Sequence, residues 1–227
     1  MALRLLGQLH EALEIAEEVI PLVEAHQLDR YYFYQAERLK GISLCFLQQI
    51  DEGIDHLLIA ADGIRTLNQE RHQDRMAHEL IMILADIGYV SLNHGDIFQA
   101  QKCYHESFEL SKTIRGHLGD LAMSANNQGY IHYLIGAYQT SWKYYDQGLE
   151  AALTAGWRRI VVDIYNGRGD LLKDLGLLDE AREAYERMSR RWLTRTRAQV
   201  IPHWTIPTAA TASWSVWPVI LTRHFTF

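Results

Sequence analysis

A small residue followed four places later by a larger, mostly apolar one recurs five times along the chain. The segments are Gly7–Ala16, Gln48–Leu57, Gly95–Tyr104, Gly136–Tyr145 and Gly176–Tyr185, with Ala16 the one small exception at the second position. Their small residues, Ala12, Gly53, Ala100, Ser141 and Ala181, stand 41, 47, 41 and 40 positions apart. A second series, Gly41, Gly88, Gly129 and Gly169, keeps the same offsets of 47, 41 and 40, each glycine seven residues before the matching segment. Fixed offsets of this length are the signature of a repeat architecture. The pattern predicts a pair of antiparallel helices per repeat. A glycine inside a helix costs about 1 kcal/mol relative to alanine, so one that recurs at a fixed offset points to a close helix crossing. Gly95, Gly136 and Gly176 supply the turn within a pair, since glycine tolerates left-handed backbone. Gly116, Gly119-Asp120 and Gly156 punctuate the connections between pairs, and Asp120 is expected to cap the helix that follows.

These landmarks, with Tyr104, Tyr145 and Tyr185 and the small residues Ala60, Ser107 and Gly148, resemble the tetratricopeptide repeat (TPR) family over roughly residues 5–188. The repeats run longer than the usual 34 residues and lack its closing proline. In this they are similar to the arrays of about 40-residue repeats found as sensors in large bacterial ATP-dependent (LuxR/SARP-type) transcriptional regulators. Asn126-Asn127-Gln128-Gly129-Tyr130 and Asn166-Gly167-Arg168-Gly169-Asp170 look like the first-helix motif of that variety. The resemblance implies an all-α, right-handed helical-repeat solenoid of about four full helix pairs. The segment from Leu5 to Gln27 reads as the second helix of a pair whose first helix is missing, as expected for a fragment of a larger regulator or for an orphan helix acting as a cap.

Composition narrows the function. The 227 residues are 48% apolar and 22% charged, ordinary for a soluble globular chain. No apolar run approaches the length of a membrane span, and the N-terminus lacks the form of a secretory signal. A cytoplasmic protein with no membrane contact is expected. The net charge is −6, but all five arginines after Met188 lie in a stretch without acids, so the first 188 residues carry 17 basic against 28 acidic residues, or −11. Such a body repels phosphates and is not expected to bind nucleic acid directly. The composition shift places a domain boundary between 1–188 and a basic tail at 189–227 that holds Trp192, Trp204, Trp214 and Trp217. The tail shows no clear periodicity. It reads either as a disruption of the reading frame or as a segment that docks a partner or a membrane surface.

Candidate chemistry is sparse. The sequence holds no serine elbow, no Walker loop and no carboxylate pair that stands out from helix-surface glutamates, so no enzyme activity and no cofactor are expected. Cys45 and Cys103 read as buried apolar thiols. Among 11 histidines no two share the i, i+3 or i, i+4 spacing of helical metal ligands, and His78-Glu79-Leu-Ile-Met82 breaks the zinc pattern at its last position. No metal site is expected. What the family resemblance implies is binding of a protein or peptide in a concave groove lined by the first helix of each pair. Carried over, the groove residues include Arg38, then Tyr89 and Asn93, then Asn126, Tyr130 and Tyr133, and finally Asn166, Asp170 and Lys173. Amphipathic rings and amides suit recognition of an extended chain. The competing expectation for the tyrosines is packing between helices. A regulatory array that senses a small molecule is the alternative function. The sequence leaves the oligomeric state open.

Overall fold

The structure, a computed structural model, describes residues 2–114 and 116–198, with side chains at 7–114 and 116–189. Among the described residues there are nine helices and no strand. They are α1 (Ala2–Ala25), α2 (Arg30–Phe46), α3 (Ile50–Arg71), α4 (Asp74–Asn93), α5 (Ile97–Ser111), α6 (Leu118–Leu134), α7 (Tyr138–Ala155), α8 (Arg158–Asp174) and α9 (Leu178–Ala198). Helix α1 is the expected half repeat, and α2–α3, α4–α5, α6–α7 and α8–α9 are the four pairs. Consecutive helices from α1 to α8 pack together, α9 packs on α8 through Tyr185, and α2, α4, α6 and α8 also touch in sequence, so the first helices of the pairs form one layer. Residues up to Trp192 make one compact unit. Helix α9 continues past the expected boundary after residue 188 and ends at Ala198. Trp204, Trp214 and Trp217, and with them most of the 189–227 tail, lie outside the described residues.

The glycine series marks the crossing within each pair. In three pairs the glycine lies under a tyrosine ring sixteen residues further on: Gly88 under Tyr104, Gly129 under Tyr145 and Gly169 under Tyr185. A Cβ on Gly129 would stand 2.5 Å from Cδ1 and Cε1 of Tyr145, a ring that is only 1% exposed. Ser141 Oγ donates to the Gly129 carbonyl (2.6 Å) beside it, which is why a small residue stands there. The first pair closes without a ring. A Cβ on Gly41 would meet the carbonyl oxygen of Gly53 at 2.7 Å and the Leu57 side chain, so backbone lies on backbone. The turn glycines Gly95, Gly136 and Gly176 have φ of +93°, +76° and +76°. In the first pair Gln48 takes the same left-handed place, with φ +72°, a conformation that costs a non-glycine residue about 1–2 kcal/mol.

The core runs between the layers. Leu57, Ile64, Leu67, Ile83 and Ile87 are fully buried in one cluster. Cys45 and Cys103 belong to it, and burial pushes both thiols up to about 11. No described helix is long and apolar enough to cross a membrane. One local expectation fails. Asp120 does not cap α6. His117 holds the N-cap position without a side-chain cap bond, and Asp120 sits in the first turn, where its carboxylate accepts from His78 instead and lies 3.3 Å from Nδ1 of His117.

Candidate functional site

The first helices carry the residues expected to line a groove, and the structure sorts them into two clusters. The first lies between α2 and α4 and is closed. Arg38 is 6% exposed. Its Nε and Nη2 donate to Asp86 Oδ2 at 2.8 and 2.7 Å, and Nη1 reaches Glu79 Oε2 at 3.5 Å. Glu79 also accepts from the Tyr31 hydroxyl (3.0 Å) and from Gln35 Nε2 (3.1 Å). The Arg75 guanidinium lies 4.5 Å above the Tyr31 ring. Burial outweighs the guanidinium at Asp86 and raises its pKa. Arg38 is therefore a buried tie between the first two repeats, and its charge is committed to two carboxylates of this chain.

The second cluster lies on α6 and α8 and is open to solvent. Tyr130 is 43% exposed, and its ring stacks on Tyr133 with centroids 6.4 Å apart. Tyr133 in turn lies 6.1 Å from Tyr138 at the start of α7. The Tyr133 hydroxyl donates to Asp174 Oδ2 at 2.7 Å. Asp170 collects three donors: Asn166 Nδ2 at 3.5 Å, Lys173 Nζ at 3.4 Å and the Tyr185 hydroxyl at 2.7 Å. Burial and the neighbouring carboxylates hold the hydroxyls of Tyr133 and Tyr185 above the usual tyrosine range. Both remain neutral donors at physiological pH. Thus Tyr130, Tyr133, Asn166, Asp170 and Lys173 come together as a tyrosine–carboxylate surface. Asn126 is half-buried further along α6.

Tyr89 and Asn93 stand on α4 between the clusters. Asn93 is exposed and its Nδ2 donates to the Tyr89 carbonyl (2.7 Å), while the half-buried Tyr89 ring packs on the core. Tyr89, Tyr130 and Asp170 each follow the crossing glycine of their own repeat, so they hold equivalent places on successive helices.

Two features outside this face were not anticipated. His78, His117 and Asp120 converge between α4 and α6. A hollow of about 430 Å³ opens between α5 and α7, with α6 at its floor, lined by Phe98, Lys102, His105, Gln128, His132 and Tyr144 among others. Gln128 Nε2 and His132 Nδ1 are buried there with no hydrogen-bond partner among the described residues, and the His132 ring stacks on Tyr144 at 5.2 Å. The usable signal in the sequence was the repeat length itself. Tyr133–Asp174 and Arg38–Glu79 pair over 41 residues, and His78–Asp120 over 42. Spacing within one helix cannot reveal such pairs.

Among the described residues the fold is an all-helical, TPR-like solenoid of stacked helix pairs. The Tetratricopeptide repeat family matches residues 162–188, which fall within α8 and α9, and supports a TPR-like family for the chain. Among solved structures the chain is similar to the crystal structure of BtubC (BKLC) from P. vanneervenii, with a TM-score of 0.67 over 88% of this chain and 80% of that one. The two share 13% sequence identity, so the likeness is one of fold. No curated protein matches the chain.

Proposed function

We propose that the chain is a non-catalytic scaffold that binds a protein or peptide across the first helices of its later repeats. The observation that carries this is the run of Tyr130, Tyr133 and Tyr138 rings beside the carboxylates of Asp170 and Asp174. Partly exposed rings supply apolar area on a preformed support, and polar groups at the edge fix the register of a bound chain. The acidic end of the row suits a peptide with a basic or amide side chain. Asn93 and Asn126 offer amides to its backbone. Arg38 is left out of the binding set because its partners are internal. The TPR-like fold and the family match support the scaffold reading. Repeat length and the two asparagine–glycine motifs support the finer one, a cytoplasmic array within a bacterial signalling or transcriptional regulator.

Peptides selected from a displayed library against the full chain test the site. They are expected to protect α6 and α8 from hydrogen exchange and to lose affinity about tenfold or more on Tyr130→Ala with Tyr133→Ala, while helicity is retained. Equal binding by the double variant overturns the assignment. Hydrogen exchange on the free chain tests the proposed boundary after residue 188, with protection expected to hold through the body and to be lost along the part of α9 that extends beyond it.

The alternative of a small-molecule sensor draws on the hollow between α5 and α7. Its two orphaned polar atoms leave hydrogen-bonding capacity that a ligand would fill. A thermal shift with one metabolite from a screened library, lost in Gln128→Leu and unaffected by Tyr130→Ala, favours that reading over the peptide groove.

A further inference from the structure

Three metal-ligand side chains from two neighbouring repeats meet at the boundary of α4 and α6. His78 comes from α4, His117 is the N-cap residue of α6, and Asp120 lies in that helix's first turn. Nδ1 of His78 stands 2.9 Å from each carboxylate oxygen of Asp120, and Nδ1 of His117 stands 3.3 Å from Oδ2. One ligand atom from each residue lies within 4.8 Å of the other two. Bonds of about 2.0–2.2 Å to a tetrahedral ion place neighbouring ligand atoms roughly 3.3 Å apart, close to the 2.9 and 3.3 Å between each imidazole nitrogen and the carboxylate. Both imidazoles turn Nδ1 inward onto the same carboxylate. Asp120 is 3% exposed, while the side chains of His78 and His117 are 33% and 43% exposed. The carboxylate is thus fixed at the bottom of the site, and the rings leave a way in from solvent.

We propose that His78, His117 and Asp120 bind a divalent transition-metal ion of the zinc class. Two imidazole nitrogens and one carboxylate oxygen suit zinc, cobalt or nickel rather than calcium or magnesium, which take oxygen ligands. Three protein ligands leave a fourth position for water or for a group from a partner. The ion ties the second repeat to the third, because its ligands lie 42 residues apart in sequence. Nothing in this assignment depends on the peptide groove.

The test uses the untagged full chain, stripped with EDTA and titrated with Zn(II) by calorimetry. One saturable equivalent is expected, together with a rise in melting temperature that EDTA reverses. Co(II) is expected to give a visible absorption band that Zn(II) bleaches. His78→Gln and His117→Gln should each weaken binding by about tenfold or more, since each removes one of three ligands. His117→Gln changes a half-exposed side chain, so its melting temperature in EDTA should match that of the parent and separates ligand loss from misfolding. His94→Gln, at an exposed histidine elsewhere, should leave binding unchanged. Absence of saturable Zn(II) binding, or equal binding by a His78→Gln/His117→Gln double variant, overturns the proposal and leaves the three residues as a hydrogen-bonded clasp.

Discussion

Two of the places where the layer of first helices gathers polar groups around a carboxylate have opposite results. Between α2 and α4, Glu79 and Asp86 enclose Arg38, whose side chain is 7% exposed. Around α8, Asp170 draws in Lys173, whose side chain is 54% exposed, and the hydroxyl of Tyr185. Both hubs are a carboxylate with a cation and a tyrosine. In the first the cation lies inside and the hub is a tie between repeats. In the second the cation lies outside, the neutral Tyr185 hydroxyl makes the shortest bond, and the carboxylate keeps a face toward solvent. A charged residue in the groove register is therefore a candidate for binding only where its partners leave it accessible.

The strongest way to break this contrast is to remove both cations. Arg38→Met leaves Asp86 and Glu79 without their buried partner and should destabilise the fold by about 3–5 kcal/mol, as loss of one half of a buried ion pair does. Lys173→Met should stay within about 0.5 kcal/mol, as surface changes do. Denaturant unfolding of the two variants measures this, and similar losses would erase the distinction.

Next in size are the crossings. Gly88→Ala and Gly129→Ala each push a methyl group into a buried tyrosine ring, Tyr104 or Tyr145. Each should lose about 1–3 kcal/mol, the usual range for overpacking. Similar losses at both would confine the difference between the two regions to the groove face. An unchanged melting temperature in either would show that its ring can move aside.

Tyr185→Phe tests the open hub. It removes one donor to Asp170 at 2.7 Å and should cost about 0.5–1.5 kcal/mol, the net contribution of one hydrogen bond. On the binding proposed above, it should also raise the affinity of selected peptides, because Asp170 Oδ1 then keeps only the longer contact to Lys173 (3.4 Å) and is freer to accept from a bound chain. Affinity that does not move would take Asp170 out of the site.

The smallest effect is at the entrance to α2. Asp29 accepts from the Tyr31 backbone N–H at 2.9 Å and pairs with Arg71 at 2.7 Å. The guanidinium and the backbone donor hold its carboxyl at about 2, below the ordinary 3.8. A lowered folded-state pKa stabilises fully above the unfolded value and is lost as pH falls through the folded one. The melting-temperature gap between the parent and Asp29→Asn should therefore be constant above pH 4 and should close on approach to pH 2. The pair lies at the surface with side chains 31% and 42% exposed and is screened by water, so the gap should be small. A gap that persists at pH 2 would mean that ionisation of Asp29 contributes nothing.

The fold was legible because its determinants are periodic. Gly88, Gly129 and Gly169 and the tyrosines sixteen residues later announce one crossing made three times, and the turn glycines announce the break between helices. The placement of the candidate site residues was legible in part. Tyr130, Tyr133, Asn166, Asp170 and Lys173 fall on α6 and α8 as first-helix positions, and the structure brings them together. Arg38 was misjudged because its burial depends on acids 41 and 48 residues away. Asp120 looked like a helix cap because Gly119-Asp120 is a good local start signal, but His78 and His117 compete for its carboxylate. Local grammar governs where helices begin and end. The side chains that join one repeat to the next answer to a register that becomes visible only once the repeats are stacked.

That register has a mechanical consequence. The longest of the ties named above spans 48 residues, so a pull on the two ends would be borne in series by one repeat boundary after another. In such a chain the weakest boundary yields first and its neighbours keep their own contacts. Extension should then advance in steps of about one repeat, and the Arg38 boundary should outlast those held by hydroxyls.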